Sequence, residues 1–307
     1  MTDEIVCRVL TGPTASGKTK YAVRLAKEYG LDILCMDSMQ IYRRMNIGTA
    51  KPTKEEMCGV PHYLLDICDP ADSFSVSDYR LAAENMILEK HQEGKEILFV
   101  GGTLLYLHAM IHPDSMGQVP PNELLRAELN QQAQTPEGRK MIHDRLRTID
   151  PVTAERLPVN DVRRVIRAIE VWEGTGIPFS CQPKRKTETD GQFRWKIAAT
   201  QMERDVLYKR INQRVSDMIG MGLRDEVMSL LREGVPENAQ SMNGLGYKEM
   251  IPCIRGEYRL EDAAEEIRKG TRHYAKRQMT FLRREENIRY VRTDQENAYD
   301  EIRRVLI

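Results

Sequence analysis

One octapeptide constrains this chain of 307 residues more than any other feature: Gly12-Pro13-Thr14-Ala15-Ser16-Gly17-Lys18-Thr19. It is a complete G-x-x-x-x-G-K-[ST] string, lying after an apolar run and before a helical stretch. Average residue usage makes a chance match in a chain of this size roughly a 1% event. The order is demanded by chemistry. Glycines let the backbone turn so that successive N–H groups point inward at phosphate oxygens, and the N-terminus of the following helix adds partial positive charge. Lys18 supplies a mobile full charge for the terminal phosphates, and the Thr19 hydroxyl can ligate Mg²⁺. A di- or triphosphate site is therefore expected at Gly12, Thr14, Ala15, Ser16, Gly17, Lys18 and Thr19, in a loop of the ATP- and nucleotide-binding type.

The surrounding pattern suits such a loop. Short apolar runs at 5–10, 31–36 and 97–100 alternate with amphipathic stretches at 17–29 and 76–92, the signature of strand-helix-strand units around a parallel sheet. Arg8 is a misfit, a charge inside a strand that should be buried on both faces. Residues 112–122 and 173–191, the latter around Lys184-Arg185-Lys186, read as connections rich in Pro, Gly and polar residues. Between them Val162, Val165, Ile166, Ile169 and Trp172 recur at helical spacing and are expected to be core. Residues 195–200 predict one more strand, and the rest reads as helical to the end. The expected architecture is an α/β core over 1–112 and 192–307, a parallel sheet flanked by helices, with a helical insertion domain over 113–191.

Charge and cysteine content exclude several classes. Lys+Arg and Asp+Glu each number 46, so the net charge is zero, and neither a disordered polyelectrolyte nor a histone-like polycation fits. The six cysteines (Cys7, Cys35, Cys58, Cys68, Cys181, Cys253) show no zinc spacing and are expected to be reduced core residues. No run approaches the roughly 18 apolar residues of a membrane span. Met-Thr-Asp-Glu at the start lacks the basic n-region of a signal peptide, so a cytoplasmic protein is expected. An ATPase would usually carry a metal-holding Asp at the end of an apolar strand, whereas 97–100 runs into Gly101-Gly102-Thr103. The phosphates need another purpose.

Asp37 closes the 31–36 run and should face the loop's phosphates, because open α/β sheets bind ligands outside the carboxyl ends of their strands. Taken alone it reads equally as a helix cap. From Asp37 the chain continues Ser38-Met39-Gln40-Ile41-Tyr42-Arg43-Arg44-Met45-Asn46-Ile47-Gly48-Thr49-Ala50-Lys51-Pro52. It later carries Pro61-His62-Tyr63-Leu64-Leu65-Asp66, Gly101-Gly102-Thr103, Asn160-Asp161-Val162-Arg163-Arg164, Gly244-Leu245-Gly246-Tyr247, Thr271-Arg272 and Ala275-Lys276-Arg277-Gln278. These strings, in this order and over almost the whole chain, closely resemble the tRNA dimethylallyltransferases, also called tRNA isopentenyltransferases. Ile169 and Phe281 are small departures, where Leu and Trp are the usual residues. No Cys/His zinc finger follows, so the bacterial form is expected.

The resemblance implies a P-loop kinase-like fold and transfer of a dimethylallyl group from dimethylallyl diphosphate to N6 of the adenosine 3′ of a tRNA anticodon, with Mg²⁺ and release of diphosphate. The phosphate loop then holds a leaving group, which answers the missing metal-holding acid. Asp37 is expected to be the general base for N6 and Thr103 to orient the amine. Arg210 and Arg214 lie at i, i+4 opposite the apolar row Leu207, Ile211, Val215. The resemblance points to Arg214 as the diphosphate ligand, with Arg210 as the alternative.

The tRNA is expected to meet Asp37, Ser38, Met39, Gln40 and Thr103 at the strand ends, and Arg126, Asp161, Arg163 and Arg164 in the insertion. Gly246, Tyr247 and Lys248 are further expected contacts, with Arg272, Lys276, Arg277, Gln278 and Arg283 on a basic helix. Residues 268–284 hold seven Lys/Arg and no acid, as a phosphate-tracking surface would. Arg167 joins Arg163 and Arg164 in a smaller patch, and His62 reads as structural or substrate-lining. A monomer is expected. Two alternatives remain open, a P-loop small-molecule or nucleoside kinase that uses Asp37 on a hydroxyl, and a non-catalytic RNA-binding protein gated by a nucleotide.

Overall fold

In the computed structural model, residues 4–112, 119–182 and 191–307 are described. The chain forms two units, Met1–Ile111 with Thr189–Ile307, and His112–Glu188. The Lys184-Arg185-Lys186 segment lies outside the described residues.

In the first unit the chain runs β1 (Ile5–Thr11), α1 (Lys18–Tyr29), β2 (Asp32–Cys35), α2 (Lys54–Met57), β3 (His62–Tyr63), α3 (Val76–Gln92), β4 (Ile97–Val100) and α4 (Leu104–Ile111). The second unit contributes α5 (Glu123–Gln132), α6 (Pro136–Ile149), α7 (Pro151–Arg156) and α8 (Val162–Thr175). The first unit then resumes with β5 (Phe193–Gln201), α9 (Arg204–Gly220), α10 (Leu223–Arg232), α11 (Tyr247–Ile254), α12 (Leu260–Leu282), β6 (Ile288–Arg292) and α13 (Ala298–Leu306).

Among the described residues six strands pair in parallel, in the order β3-β2-β4-β1-β5-β6. The strands are apolar because both faces are covered. Cys7, Val9, Leu34, Phe99, Ile197 and Ala199 pack with residues of α3 and α4 on one face. Leu10, Ile33, Leu98, Ala198 and Val291 pack with α1 and α13 on the other. A further apolar cluster joins α9 to α12 with Ile41, Tyr42 and Met45 from the loop after β2. From β1 the chain moves outward to β2, leaving room for β4, whereas β5 and β6 lie on the opposite side of β1. The order reverses beside β1, so the crevice at its carboxyl end is where a ligand is expected.

Arg8 is buried after all, and its Nη2 lies 3.0 Å from Glu96 Oε1, just before β4. Three expectations need correction. The region after residue 200 is not helical to the end, since Ile288–Arg292 adds a parallel edge strand to β5. An edge strand needs little apolar sequence, and in β6 Val291 alone is buried. Trp172 is half-buried and stands outside the cluster of Leu129, Ile142, Leu146, Val165, Ile166 and Ile169 that forms the helical unit's core. Cys58 and Cys181 are exposed, while the other four cysteines are buried.

Candidate active site

The phosphate loop is pinned from below. Gly12 has φ +134°, and a Cβ there would lie 2.1 Å from Thr200 Oγ1, so both conformation and space require glycine. Ser16 Oγ is 2.6 Å from the same Thr200 hydroxyl, and the Ser16 carbonyl accepts from Thr293 Oγ1 at 3.1 Å. The Ser16 side chain is fully buried and serves the loop's shape. The first-turn N–H groups of α1, which have no partner inside the helix, begin at Lys18. Lys18 Nζ donates to the carbonyls of Gly12 (3.0 Å) and Pro13 (2.7 Å). Burial, and then the positive charge of Arg214, push its pKa down to about 7 against the opposing pull of Asp37.

Asp37 and Thr103 stand at the carboxyl ends of neighbouring strands, β2 and β4. Asp37 Oδ1 accepts the N–H of Met39 at 2.9 Å, a local turn bond that leaves Oδ2 without a protein partner among the described residues. Thr103 Oγ1 accepts the N–H of Ser38 at 2.8 Å and lies 3.2 Å from Ser38 Oγ. Ser38 thus ties the two strand ends together.

One cleft, within the first unit, gathers the phosphate loop and Asp37, while Thr103 is not among its lining residues, which stop at Gly102 on that strand end. Thr14, Ala15, Gly17, Lys18, Thr19, Asp37, Arg214, Tyr274 and Gln278 line its polar side, with Gln40, Thr49 and His62; Ala22, Ile33, Ala50, Pro52, Leu65 and Val100 supply apolar wall. Arg214 enters from α9, and burial lowers its pKa. Arg210, one turn earlier, is exposed, yet its Nη1 would lie 3.4 Å from a Cβ on Gly17. Both arginines therefore face the loop, Arg214 inside the cleft and Arg210 at its rim. His62 Nδ1 lies 2.8 Å from the Val60 carbonyl, and burial lowers its pKa.

The buried Gln278 of α12 bridges two parts of the site. Its Oε1 accepts the Thr14 N–H at 2.9 Å and its Nε2 donates to the Gly102 carbonyl at 2.7 Å, where Tyr274 OH also donates at 3.3 Å. Tyr274 also lines the cleft. The clue in the sequence was only its spacing, one turn before Gln278.

The remaining expected RNA contacts divide into exposed and engaged groups. Lys276, Arg277 and Arg283 are exposed. Arg272 bonds Asn212 Oδ1 and Glu265 Oε1, both at 2.9 Å, Arg268 also pairs with Glu265, and Lys269 with Glu266. The seven-charge segment is thus partly neutralised by two acids just upstream of it. Met39 packs against Gly244, and Gln40 Nε2 donates to the carbonyls of Thr49 and Ala50. Gly246 and Tyr247 are buried, and Tyr247 OH donates to Glu226 Oε1 at 2.6 Å; Lys248 is exposed beside them. In the helical unit Arg126 and Arg167 both pair with the buried Glu170, Arg164 lies 3.2 Å from Asp161, and Arg163 is exposed.

A Mg²⁺ ion takes hard oxygen ligands and keeps several of its waters. The cleft offers the exposed Thr19 hydroxyl on the side where Lys18 and Arg214 would gather phosphate, so the residues fit such an ion.

The family model described as IPP transferase matches residues 40–285. The tRNA dimethylallyltransferase of a Thermoanaerobacter species is 40% identical over 301 residues, 97% of this chain and 95% of that one. That of Pelotomaculum thermopropionicum is 44% identical over 286 residues, 93% and 90% of the two chains. The crystal structure of the full-length tRNA isopentenylpyrophosphate transferase from Bacillus halodurans aligns with a TM-score of 0.71 at 40% identity, covering 99% of this chain and 94% of that chain. With the phosphate loop, the strand-end Asp37 and the sheet order already in place, these likenesses show that the chain belongs to the IPP transferase family, the tRNA dimethylallyltransferases.

Proposed function

We infer that this protein transfers a dimethylallyl group from dimethylallyl diphosphate to N6 of the adenosine 3′ of the anticodon in tRNA and releases diphosphate. The observation that carries the reading is one cleft in which a phosphate loop faces a strand-end carboxylate, in a chain of this family. An exocyclic adenine amine is a poor nucleophile, because its lone pair is delocalised into the ring. It needs a proton acceptor and a leaving group made easy to expel. In this reading the N6 lone pair attacks the allylic C1, the C1–O bond breaks, and its electron pair leaves with diphosphate. The N6 proton goes to Asp37, whose Oδ2 is free to receive it. Thr103, held against Ser38, orients the amine.

Lys18, the loop amides and Arg214 neutralise charge growing on the departing diphosphate. Gly12, Thr14, Ala15, Ser16, Gly17 and Thr19 shape or contribute to that cradle. Magnesium, when bound at Thr19 and the phosphates, would supply further charge stabilisation. The tRNA lies over the strand-end residues Ser38, Met39 and Gln40, with Lys276, Arg277 and Arg283 on its phosphates. The cleft is built from one chain, which supports a monomer, and a tRNA substrate supports a cytoplasmic site of action. Among the described residues no helix is long and apolar enough to cross a membrane.

Neither alternative gains support. None of the relatives described above is a kinase, and a non-catalytic RNA-binding protein would have no use for Asp37 and Thr103 on adjacent strand ends. The test is incorporation of radiolabelled dimethylallyl diphosphate into tRNA with no nucleotide present. Label in tRNA is expected, whereas nucleotide-dependent phosphoryl transfer without RNA would favour the kinase.

A further inference from the structure

The loop after β2 contains Asn46-Ile47-Gly48-Thr49, a turn with no chemistry evident from its sequence. The structure closes it around a carboxylate. Glu226 Oε2 accepts the N–H groups of Asn46 (2.9 Å) and Ile47 (2.8 Å), while Oε1 accepts those of Gly48 (3.1 Å) and the Tyr247 hydroxyl (2.6 Å). Three consecutive amides converging on one anion form a nest of the kind that binds phosphates. Here the anion belongs to α10 of the same chain. Gly48 is obligatory, because a Cβ there would lie 2.5 Å from Cε2 of the Tyr247 ring. Burial, and then the neighbouring carboxylate, raise the Tyr247 pKa, so its hydroxyl remains a donor.

The loop leads directly to the cleft. Thr49, Ala50 and Pro52 are lining residues, and the carbonyls of Thr49 and Ala50 are held by the lining residue Gln40. Ala50, Pro52, Ile33 and Leu65 are apolar residues of the same lining that holds the cationic loop. An allylic diphosphate has one end of each character, so the wall bounds the room for its hydrocarbon. This rests on the transfer reading above.

We propose that Glu226 is a positioning residue that fixes the 46–52 loop as a wall of the cleft and thereby sets which allylic chain length the enzyme accepts. Its effect passes through the loop, not through contact with the reacting atoms. Glutamine is nearly isosteric, but its amide nitrogen cannot accept. In either orientation two of the four donors would meet an NH₂ group.

The experiment uses the full chain with tRNA and Mg²⁺ and compares wild type, Glu226→Gln, Glu226→Ala and Tyr247→Phe. It measures kcat and KM for the five-carbon donor and for a ten-carbon allylic diphosphate, with the inhibition constant of inorganic diphosphate as a control for the phosphate end. For Glu226→Gln the expected results are a rise in donor KM and a fall of about fivefold or more in preference for the shorter chain, the scale of hydrophobic-pocket discrimination. Inhibition by diphosphate should change less than about twofold, and Tyr247→Phe should shift selectivity the same way by less. If Glu226→Ala fails to fold, Glu226→Gln carries the test. Unchanged chain-length preference in a folded, active Glu226→Gln protein overturns the assignment, as does an equal loss of donor and diphosphate affinity. Absence of transfer by the wild type would instead overturn the function on which it rests.

Discussion

Lys18 is held between opposing influences. Burial and Arg214 disfavour its charge, and Asp37 favours it, leaving a pKa of about 7 against an ordinary 10.5. A bound diphosphate adds negative charge and raises that pKa. Above pH 7 binding must therefore take up a proton at Lys18, and affinity should weaken as pH rises. Calorimetry of inorganic diphosphate at pH 8, in buffers of different ionisation enthalpy, should show more proton uptake by the wild type than by Lys18→Met. The variant should also bind about 10- to 100-fold less tightly, the scale of a charge-assisted bond. Equal proton uptake in the two proteins would remove Lys18 from the diphosphate's reach. Asp37 gives a sharper test. Asp37→Asn keeps an oxygen for the Met39 N–H but cannot accept the N6 proton, so kcat should fall by about 10²- to 10⁴-fold with KM for both substrates within a few-fold. A fall of less than about tenfold would reduce Asp37 to a turn cap.

Among the elements, α12 carries most consequence, because it joins exposed cations to the phosphate loop. Neutralising Lys276, Arg277 and Arg283 together should flatten the log-log salt dependence of tRNA binding by about two to three units. Donor binding should not change, since none of the three lines the cleft. An unchanged slope would move the footprint to the exposed Arg163 and Arg164. Arg272 is a poorer choice for this test, because it also ties α12 to α9 through Asn212. Gln278→Ala should act differently. It strands the Thr14 N–H and leaves the Gly102 carbonyl with only the longer bond from Tyr274 OH, so donor KM should rise by about tenfold or more, the scale of an unsatisfied buried donor. Donor KM unchanged in a folded Gln278→Ala protein would contradict the bridge.

At the scale of the whole molecule, what could be read in the sequence was what depends on local order. The phosphate loop, the strand runs around it and the strand-end Asp37 each need particular residues close together in the chain, and each was visible. What escaped depends on distant partners. Thr200 under Ser16, Gln278 on Thr14 and Glu226 on the 46–48 turn lie 184, 264 and about 180 residues away from the groups they hold. The basic segment looked fully charged because a count over 268–284 stops short of Glu265 and Glu266. Tyr247 looked available to RNA, although its hydroxyl is committed to Glu226. β6 was invisible because pairing on one side only demands little of its side chains.

Prenyl transfer to one base can be read out by nucleoside mass spectrometry of the tRNA. An unmodified tRNA transcript with adenosine 3′ of its anticodon would be incubated with the protein, dimethylallyl diphosphate and Mg²⁺, then digested. The predicted result is that this one adenosine gains a dimethylallyl group in place of an N6 hydrogen, that diphosphate appears in equal amount, and that Asp37→Asn abolishes most of both. Unmodified adenosine after incubation with folded, tRNA-binding wild-type protein would contradict the account.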